Sequence, residues 1–211
     1  MVLKDLSIIK FIYKFYSIKE GNFIIMILII DNYDSFTYNI YQYVGQFNPN
    51  LRVIKNDELS IEEIKEMQTS KIIISPGPGH PKDSRLSLEC IEEFGNSIPI
   101  LGICLGHQAI GVSFGAKIIN SNQIVHGKTS MIRHNDDFLF NDISNPFEAT
   151  RYHSLIIDSN NLPDNLEVIA DCDSMVMAIK HKNRPMYGVQ FHPESIKTEN
   201  GLKIIQNFLN I

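Results

Sequence analysis

A cysteine framed by two glycines is the arrangement in this sequence that is best suited to chemistry. Cys104 occupies the middle of G-x-C-x-G at 102–106, where an apolar run at 98–103 gives way to a helical pattern. Such a frame is typical of a strand-to-helix turn that exposes a nucleophile, because glycines relieve crowding in the turn and the helix N-terminus favours a thiolate. An inert buried cysteine is the simpler alternative. We adopt that alternative for Cys90 and Cys172, and predict that Cys104 is a nucleophile.

A base for this thiol is predicted within GVQFHPES at 188–195. His192 follows an apolar run at 186–191, so it lies at the carboxyl end of a predicted strand, the edge at which open α/β sheets place their sites. Glu194 can orient the imidazole and stabilise its charged form. A loop histidine beside a surface carboxylate is the alternative. A zinc deaminase would need a P-C-x-x-C ligand pair, which the sequence lacks, so we predict no metal.

Acyl transfer also needs donors for an oxyanion, and the turn SPGPGHP at 75–81 can supply one. Its glycine N–H groups can approach a substrate because no Cβ atom intervenes. By itself the motif indicates only a turn. Together with the N–H group of Leu105, which follows the nucleophile, the N–H group of Gly77 would form a two-donor oxyanion hole.

The elements that position these residues follow a repeated strand and helix pattern from Met26 onward. Short β-branched runs predict buried parallel strands, at 27–30, 51–54, 72–74 and 98–103. Helical spacing predicts helices at 35–46, 60–67 and 84–94. Ser35 and Ser60 are expected to be N-caps, and Glu63 completes a capping box with Ser60. The predicted fold class is α/β, an open doubly wound, mostly parallel sheet of the flavodoxin-like kind.

The second half of the chain has shorter strand-like runs separated by Asn, Asp and Gly turns, over 117–190. We interpret them as an antiparallel extension of the same domain, closed by a helix at about 199–209. One domain is therefore expected over 26–211. Residues 1–25 mix apolar residues with lysines and carry no signature of a membrane span or a targeting signal, so we interpret them as a peripheral N-terminal extension.

Composition limits the classes of function. Hydrophobic residues make up 44% and charged residues 20% of the 211 residues, an ordinary balance for a globular protein. A formal net charge of -5 disfavours nucleic-acid binding. Three cysteines without a C-x-x-C pair fit neither a disulfide framework nor a zinc site, and they favour a reducing, cytoplasmic location.

Six motifs occur in order over 26–211: DNYDSFTYN, SPGPG, GICLGHQ, HGKTS, RYHSL and GVQFHPES. Together they resemble the class I (triad) glutamine amidotransferases, in the branch of the small subunits of anthranilate synthase and aminodeoxychorismate synthase. The resemblance implies that Cys104, His192 and Glu194 form a catalytic triad. It also implies that a set of motif residues binds L-glutamine: Gly77, Pro78, Gly79, Gln108, Ser154 and Leu155. Two departures from the family pattern, at Ser84-Arg85 and at Met131, lie outside the chemistry and bear on the fit to a partner.

The resemblance implies hydrolysis of L-glutamine to glutamate and ammonia through a cysteine thioester, without a cofactor in this chain. Ammonia would pass to the chorismate-using large subunit of a synthase, in a hetero-oligomer. Anthranilate synthase of tryptophan biosynthesis is favoured, because aminodeoxychorismate relatives often have cysteine at the second glycine of SPGPGHP. Aminodeoxychorismate synthase of folate biosynthesis, or one chain that serves both, stays open. So does a stand-alone γ-glutamyl hydrolase, while the complete triad argues against a non-catalytic regulatory subunit.

No catalytic role is predicted for five other histidines. His126, Gly127 and Lys128 form a polar segment that is either an ordinary turn or, as the resemblance suggests, a contact that senses the partner. His107 is expected to be a packed helix residue. Surface or turn positions are expected for the other three, His80, His134 and His181.

Overall fold

The computed structural model describes residues 26–121 and 126–211. The N-terminal extension that the sequence predicts over 1–25 lies outside the described residues. The strands are β1 (Met26–Asp31), β2 (Leu51–Lys55), β3 (Thr69–Ile74), β4 (Ile100–Ile103), β5 (Ile118–Asn120), β6 (Lys128–His134), β7 (Phe147–Arg151), β8 (Leu155–Ile157), β9 (Leu166–Cys172), β10 (Met175–His181) and β11 (Met186–Val189). The helices are α1 (Thr37–Gly45), α2 (Ile61–Glu66), α3 (Arg85–Phe94), α4 (Leu105–Ser113) and α5 (Gly201–Leu209).

Nine of these strands form one sheet in the order β2-β1-β3-β4-β11-β10-β9-β6-β7. The pairs from β2 to β11 are parallel, and those from β11 to β7 are antiparallel. β5 and β8 form a separate antiparallel pair. The predicted fold class, an α/β sheet with an antiparallel extension, is confirmed. One assignment was wrong: β11 was placed in the antiparallel extension, yet it pairs in parallel with β4.

Alternation along β1 explains why the sheet is covered on both sides. Ile27 and Ile29 face the core beneath α1 and α5, whereas Leu28 and Ile30 face the core beneath α2, α3 and α4. Successive side chains of a strand point to opposite faces, so a continuous apolar run fits a strand buried on both. The β-branched runs read from the sequence are therefore the centre of the fold.

Of the two serine N-caps that the sequence predicts, the structure has one. The Ser60 side chain accepts from the backbone N–H of Glu63, and the Glu63 carboxylate accepts from the backbone N–H of Ser60. The predicted capping box is therefore confirmed. Ser35 is not an N-cap, since α1 begins at Thr37 after Phe36. The Asp34 carboxylate accepts from the Phe36 N–H instead.

Two predictions about histidines were wrong. His134 and His181 were expected at the surface or in turns, but both are buried. His134 stacks on Phe140 with ring centroids 4.8 Å apart, and His181 packs on Phe114 at 4.6 Å. His107, expected to be packed, is fully buried. The helices of the described residues include none with the length and apolar composition of a membrane span.

Candidate active site

Cys104 stands at the turn between β4 and α4, in a backbone conformation that side chains seldom adopt. Its φ is 52° and its ψ is -98°. The glycine frame is what allows this turn: a Cβ atom on Gly102 would lie 2.3 Å from the carbonyl carbon of Gly106, and one on Gly106 would lie 2.5 Å from the carbonyl oxygen of Ile74. The Cys104 N–H donates to the Val189 carbonyl at 2.8 Å, which ties the turn to the end of β11. The strained conformation and its two glycines are those of a nucleophile elbow.

The same strand, β11, leads to the candidate base. The His192 N–H donates to the Thr150 carbonyl at 2.9 Å, which fixes the backbone after the strand. Nδ1 of His192 lies 2.6 Å from Oε1 of Glu194, with both side chains buried. The rings of Tyr152 and Phe36 approach the imidazole edge-on, with centroids at 5.0 Å and 6.2 Å. The imidazole is therefore held by one carboxylate and two aromatic rings.

This environment sets the charge of His192. Burial by itself lowers the pKa of an imidazole, but the negative charge of Glu194 and contacts with Cys104 outweigh burial and raise the His192 pKa well above its ordinary value. Because Nδ1 faces Glu194, Nε2 is the nitrogen left for the thiol. Nε2 is buried, and within the described residues no atom completes a hydrogen bond to it. The structure thus brings Cys104, His192 and Glu194 together.

The turn after β3 lies against the elbow. Gly77 packs so closely against Asn32 and Leu105 that an added Cβ would lie 2.6 Å from the Asn32 carbonyl oxygen and 2.9 Å from a Leu105 methyl carbon. Asn32 holds this turn, since its N–H donates to the Ser75 hydroxyl at 2.9 Å and its amide donates to the Ser75 carbonyl at 3.1 Å. The two candidate oxyanion donors, Gly77 and Leu105, are therefore neighbours. Pro78 and Gly79 continue the turn into solvent.

A second set of predicted residues meets around Gln108. Gln108, in the first turn of α4, donates from Nε2 to the Leu155 carbonyl at 2.9 Å. Ser154 precedes Leu155 and is exposed. Gln190, which the sequence reasoning missed, completes the set: it accepts from Gln108 at 3.0 Å and donates to the Cys104 sulfur at 3.5 Å. Its position inside GVQFHPES was the available signal.

The segment at 126–128 lies beside the site. Lys128 is the first residue of β6 rather than a loop residue, while Gly127 has a φ of 68° and donates to the Arg151 carbonyl at 2.9 Å. His126 is exposed, and its ring meets that of Tyr152 edge-on at 5.4 Å. Since Tyr152 also contacts His192, this segment is one aromatic ring away from the candidate base.

Two further histidines near the site are kept neutral. Burial lowers the pKa of His107 to about 3. Burial, with the nearby Arg151 charge, lowers the pKa of His153 to about 4. Neither histidine is therefore protonated near neutral pH, in contrast to His192. No cluster of three or more His, Cys, Asp or Glu side chains that could hold a metal ion occurs in the part of the chain that the structure describes.

A family model described as glutamine amidotransferase class-I matches residues 28–211. The chain is 54% identical over 186 residues to anthranilate synthase component 2 of Pyropia yezoensis, covering 87% of this chain and 98% of that protein. It is 47% identical over 185 residues to aminodeoxychorismate/anthranilate synthase component 2 of Bacillus subtilis, covering 87% of this chain and 95% of that protein.

Two other similarities extend this picture. The chain is 50% identical over 188 residues to bifunctional protein TrpGD of Thermotoga maritima, covering 88% of this chain and only 32% of that longer protein. A solved structure, that of a putative GMP synthase protein from Thermoplasma acidophilum, superposes with a TM-score of 0.77 at 24% identity, covering 88% of this chain and 92% of that one. At that identity the likeness is one of fold.

Proposed function

The chain belongs to the class I glutamine amidotransferases, and we propose that it is the glutaminase subunit of anthranilate synthase. One observation carries the choice of reaction: a cysteine in a nucleophile elbow lies beside a buried imidazole that is paired with a carboxylate at 2.6 Å. The choice of pathway is supported by the 54% identity to a relative named anthranilate synthase component 2, of which this chain covers 98%.

The first half of the reaction uses the triad. The Cys104 thiol passes its proton to Nε2 of His192, and the sulfur attacks the side-chain amide carbon of glutamine. The carbonyl oxygen becomes an oxyanion and accepts hydrogen bonds from the N–H groups of Gly77 and Leu105. The His192 imidazolium then protonates the amide nitrogen, which leaves as ammonia, and a γ-glutamyl thioester remains on Cys104.

The second half returns the enzyme to its starting state. A water molecule attacks the thioester carbonyl while His192 takes the water's proton, and the same two N–H groups stabilise the second oxyanion. The carbon–sulfur bond breaks, glutamate leaves, and the proton on His192 returns to the sulfur. Glu194 holds the imidazolium throughout by its charge and its hydrogen bond to Nδ1.

Glutamine binding is assigned to the residues around this centre: Gly77, Pro78, Gly79, Gln108, Ser154 and Leu155. The geometry supports a specific role for Gln108. Its Nε2 atom already donates to the Leu155 carbonyl and to Gln190, so both of its hydrogens are engaged. Only Oε1, an acceptor, is left to face a ligand, and it fits the α-ammonium group of glutamine.

The ammonia acceptor is proposed to be chorismate on a synthase subunit. Ammonia released into bulk water is protonated and ceases to be a nucleophile, so the partner must receive it directly. The partner is expected to contact His126, Gly127 and Lys128, which lie one aromatic ring from His192. No cofactor in this chain is required by the chemistry described above.

A second pathway has support of its own. The Bacillus subtilis relative carries a name that covers both aminodeoxychorismate and anthranilate synthases, at 47% identity. We keep a single chain that serves both synthases as the second candidate. A stand-alone γ-glutamyl hydrolase is the remote third.

The test is reconstitution with each large subunit from the source cell. The purified chain is mixed with the large subunit of anthranilate synthase or of aminodeoxychorismate synthase, and product formation from chorismate and glutamine is followed. If product forms with the anthranilate synthase subunit but not with the other subunit, the proposal is supported. If product forms with both subunits, the dual role is supported. Full glutaminase rate in the isolated chain, without response to either subunit, would instead identify a stand-alone hydrolase.

A further inference from the structure

Gln190 is a fully buried polar residue to which the reaction above gives no role. It follows β11, and its N–H donates to the Met177 carbonyl at 2.8 Å, which fixes its backbone beside β10. Its side chain lies between two others: Oε1 accepts from Gln108 at 3.0 Å, and Nε2 donates to the Cys104 sulfur at 3.5 Å. This side-chain amide lies between the proposed substrate site and the nucleophile. Burying it costs folding free energy unless both its oxygen and its NH₂ group have hydrogen-bond partners.

The direction of this amide is decided by a third group. Oxygen and nitrogen of a glutamine amide are assigned from the hydrogen-bond network. The Leu155 carbonyl can only accept, so the Gln108 atom 2.9 Å from it must be Nε2. That same nitrogen faces Gln190, which must therefore present its oxygen to Gln108. The end of Gln190 that faces the sulfur is then the NH₂ group.

A donor at this place restricts where the thiol proton can go. The NH₂ group of Gln190 offers no lone pair, so the S–H proton of Cys104 cannot be donated towards it. Nε2 of His192 is the acceptor left, because Nδ1 is engaged by Glu194. We propose that Gln190 is a positioning residue that aims the Cys104 proton at His192 and stabilises the resulting thiolate by an N–H···S hydrogen bond, held in this orientation by Gln108 and the Leu155 carbonyl.

This role rests on the proposed function, because it requires Cys104 to be the nucleophile. It describes the protonation of the Cys104 sulfur in the free enzyme, before any substrate binds. The transfer is balanced: the S–H bond breaks, the Nε2–H bond forms, and the sulfur keeps the electron pair. A hydrogen bond to a charged acceptor is stronger than one to a neutral acceptor, so the donor favours the thiolate over the thiol.

The experiment measures alkylation of Cys104 by iodoacetamide across a range of pH, with the labelled peptide quantified by mass spectrometry. Only the thiolate reacts, so the pH midpoint reports its formation. In Gln190→Met, which keeps the approximate length and removes the donor, the midpoint should rise by about one pH unit and the rate below it should fall about tenfold. Gln206→Met, the same change on α5, should match the wild type.

A second variant covers the case in which Gln190→Met does not fold. Gln190→Glu keeps the shape of the side chain and the acceptor for Gln108, but it directs a carboxylate oxygen at the sulfur, so the midpoint should rise further. A folded variant of either kind with an unchanged or lowered midpoint would overturn the role of Gln190. The readout uses no glutamine, so failure of the proposed function, tested by synthesis assays, is seen separately.

Discussion

Nδ1 of His192 and Oε1 of Glu194 are 2.6 Å apart, and the two side chains are only 3% and 1% exposed. Two residues separated by a single proline therefore form a hydrogen-bonded pair that is almost sealed from water. A buried pair of this kind is strongly destabilised when one partner loses its charge, because the other is left uncompensated. The pair is the place where a small substitution tests the chemistry most directly.

In Glu194→Gln, glutaminase activity of the complex with its synthase should fall by a factor of about 10²–10⁴, since the imidazolium loses its stabilising charge. Glu194 raises the pKa of His192, so the His192 pKa should fall in the variant, as followed by NMR of the ring protons.

The wild-type pair contributes stability that is fully present below the unfolded pKa of about 6.5 and is lost as pH rises through the raised folded pKa. Glu66→Gln, at an exposed helix position, is the control. An unaltered rate would contradict the proposed triad.

Cys104→Ser should abolish glutamine-dependent synthesis and leave synthesis from added ammonia intact. The serine hydroxyl is a far weaker nucleophile at this position, whereas free ammonia bypasses the glutaminase site. The measurement compares product formation by the complex with glutamine or with ammonium salt as nitrogen donor. The ammonia assay is the internal control for assembly, and equal loss in both assays would exclude the assigned role.

Local patterns predicted those parts of the fold that depend on few neighbours. The capping box at Ser60 and Glu63 involves residues of one turn, so the sequence was enough. The start of α1 was missed because Asp31 accepts from the Asp34 N–H and the Thr37 hydroxyl, and this network displaces Ser35. The parallel pairing of β11 with β4 joins distant parts of the chain, which no local period reveals.

The site residues that the sequence predicts also lie in short motifs. The glycines around Cys104 and the spacing of His192 and Glu194 are recognisable without tertiary information. Gln190 was missed because its two partners lie 82 and 86 positions away along the chain. A glutamine next to an apolar strand carries no sign by itself that its amide faces a sulfur.

Gly102→Ala should destabilise the chain by at least about 2 kcal/mol, because the added Cβ would lie 2.3 Å from backbone atoms of Gly106, which cannot move without opening the elbow. Gly45→Ala is the matched control: it has no atom within 4 Å of the added Cβ and ends a helix, so it should be neutral or stabilising by up to about 1 kcal/mol. Urea unfolding midpoints measure both. Equal midpoints would show that the elbow tolerates a side chain at position 102.

Acid should destabilise the protein through His107 and His153. Burial lowers their pKa values to about 3 and about 4, so from about pH 6.5 downward the unfolded chain binds protons that the folded chain does not. The unfolding free energy should therefore fall as pH falls through this window. His107→Leu, which keeps a buried apolar volume, should flatten the dependence by about 1.4 kcal/mol per pH unit. Urea unfolding at a series of pH values measures the dependence in both proteins.

A chain of ring contacts leads from His126 through Tyr152 to His192. The ring centroids lie 5.4 Å and 5.0 Å apart along it, so a partner that docks on the segment at 126–128 would press on the ring beside the candidate base. If docking completes the site, binding energy is used to assemble geometry. Glutaminase activity of the free chain should then be low and rise when the synthase is added.

Alanine at both His126 and Lys128 should remove much of that rise, while folding and iodoacetamide labelling of Cys104 stay close to wild type, since both residues are exposed. Lys182→Ala is the control, because Lys182 is exposed in the turn that precedes β11, at the edge of the sheet opposite His192. Glutaminase rate is measured against added synthase, with complex formation monitored separately by ultracentrifugation. A double variant that binds the synthase and is activated along the wild-type curve would show that the segment is an ordinary turn. Normal binding of the synthase with a flattened activation curve would show that partner contact at 126–128 changes the geometry at His192, with the Tyr152 ring as the intervening group.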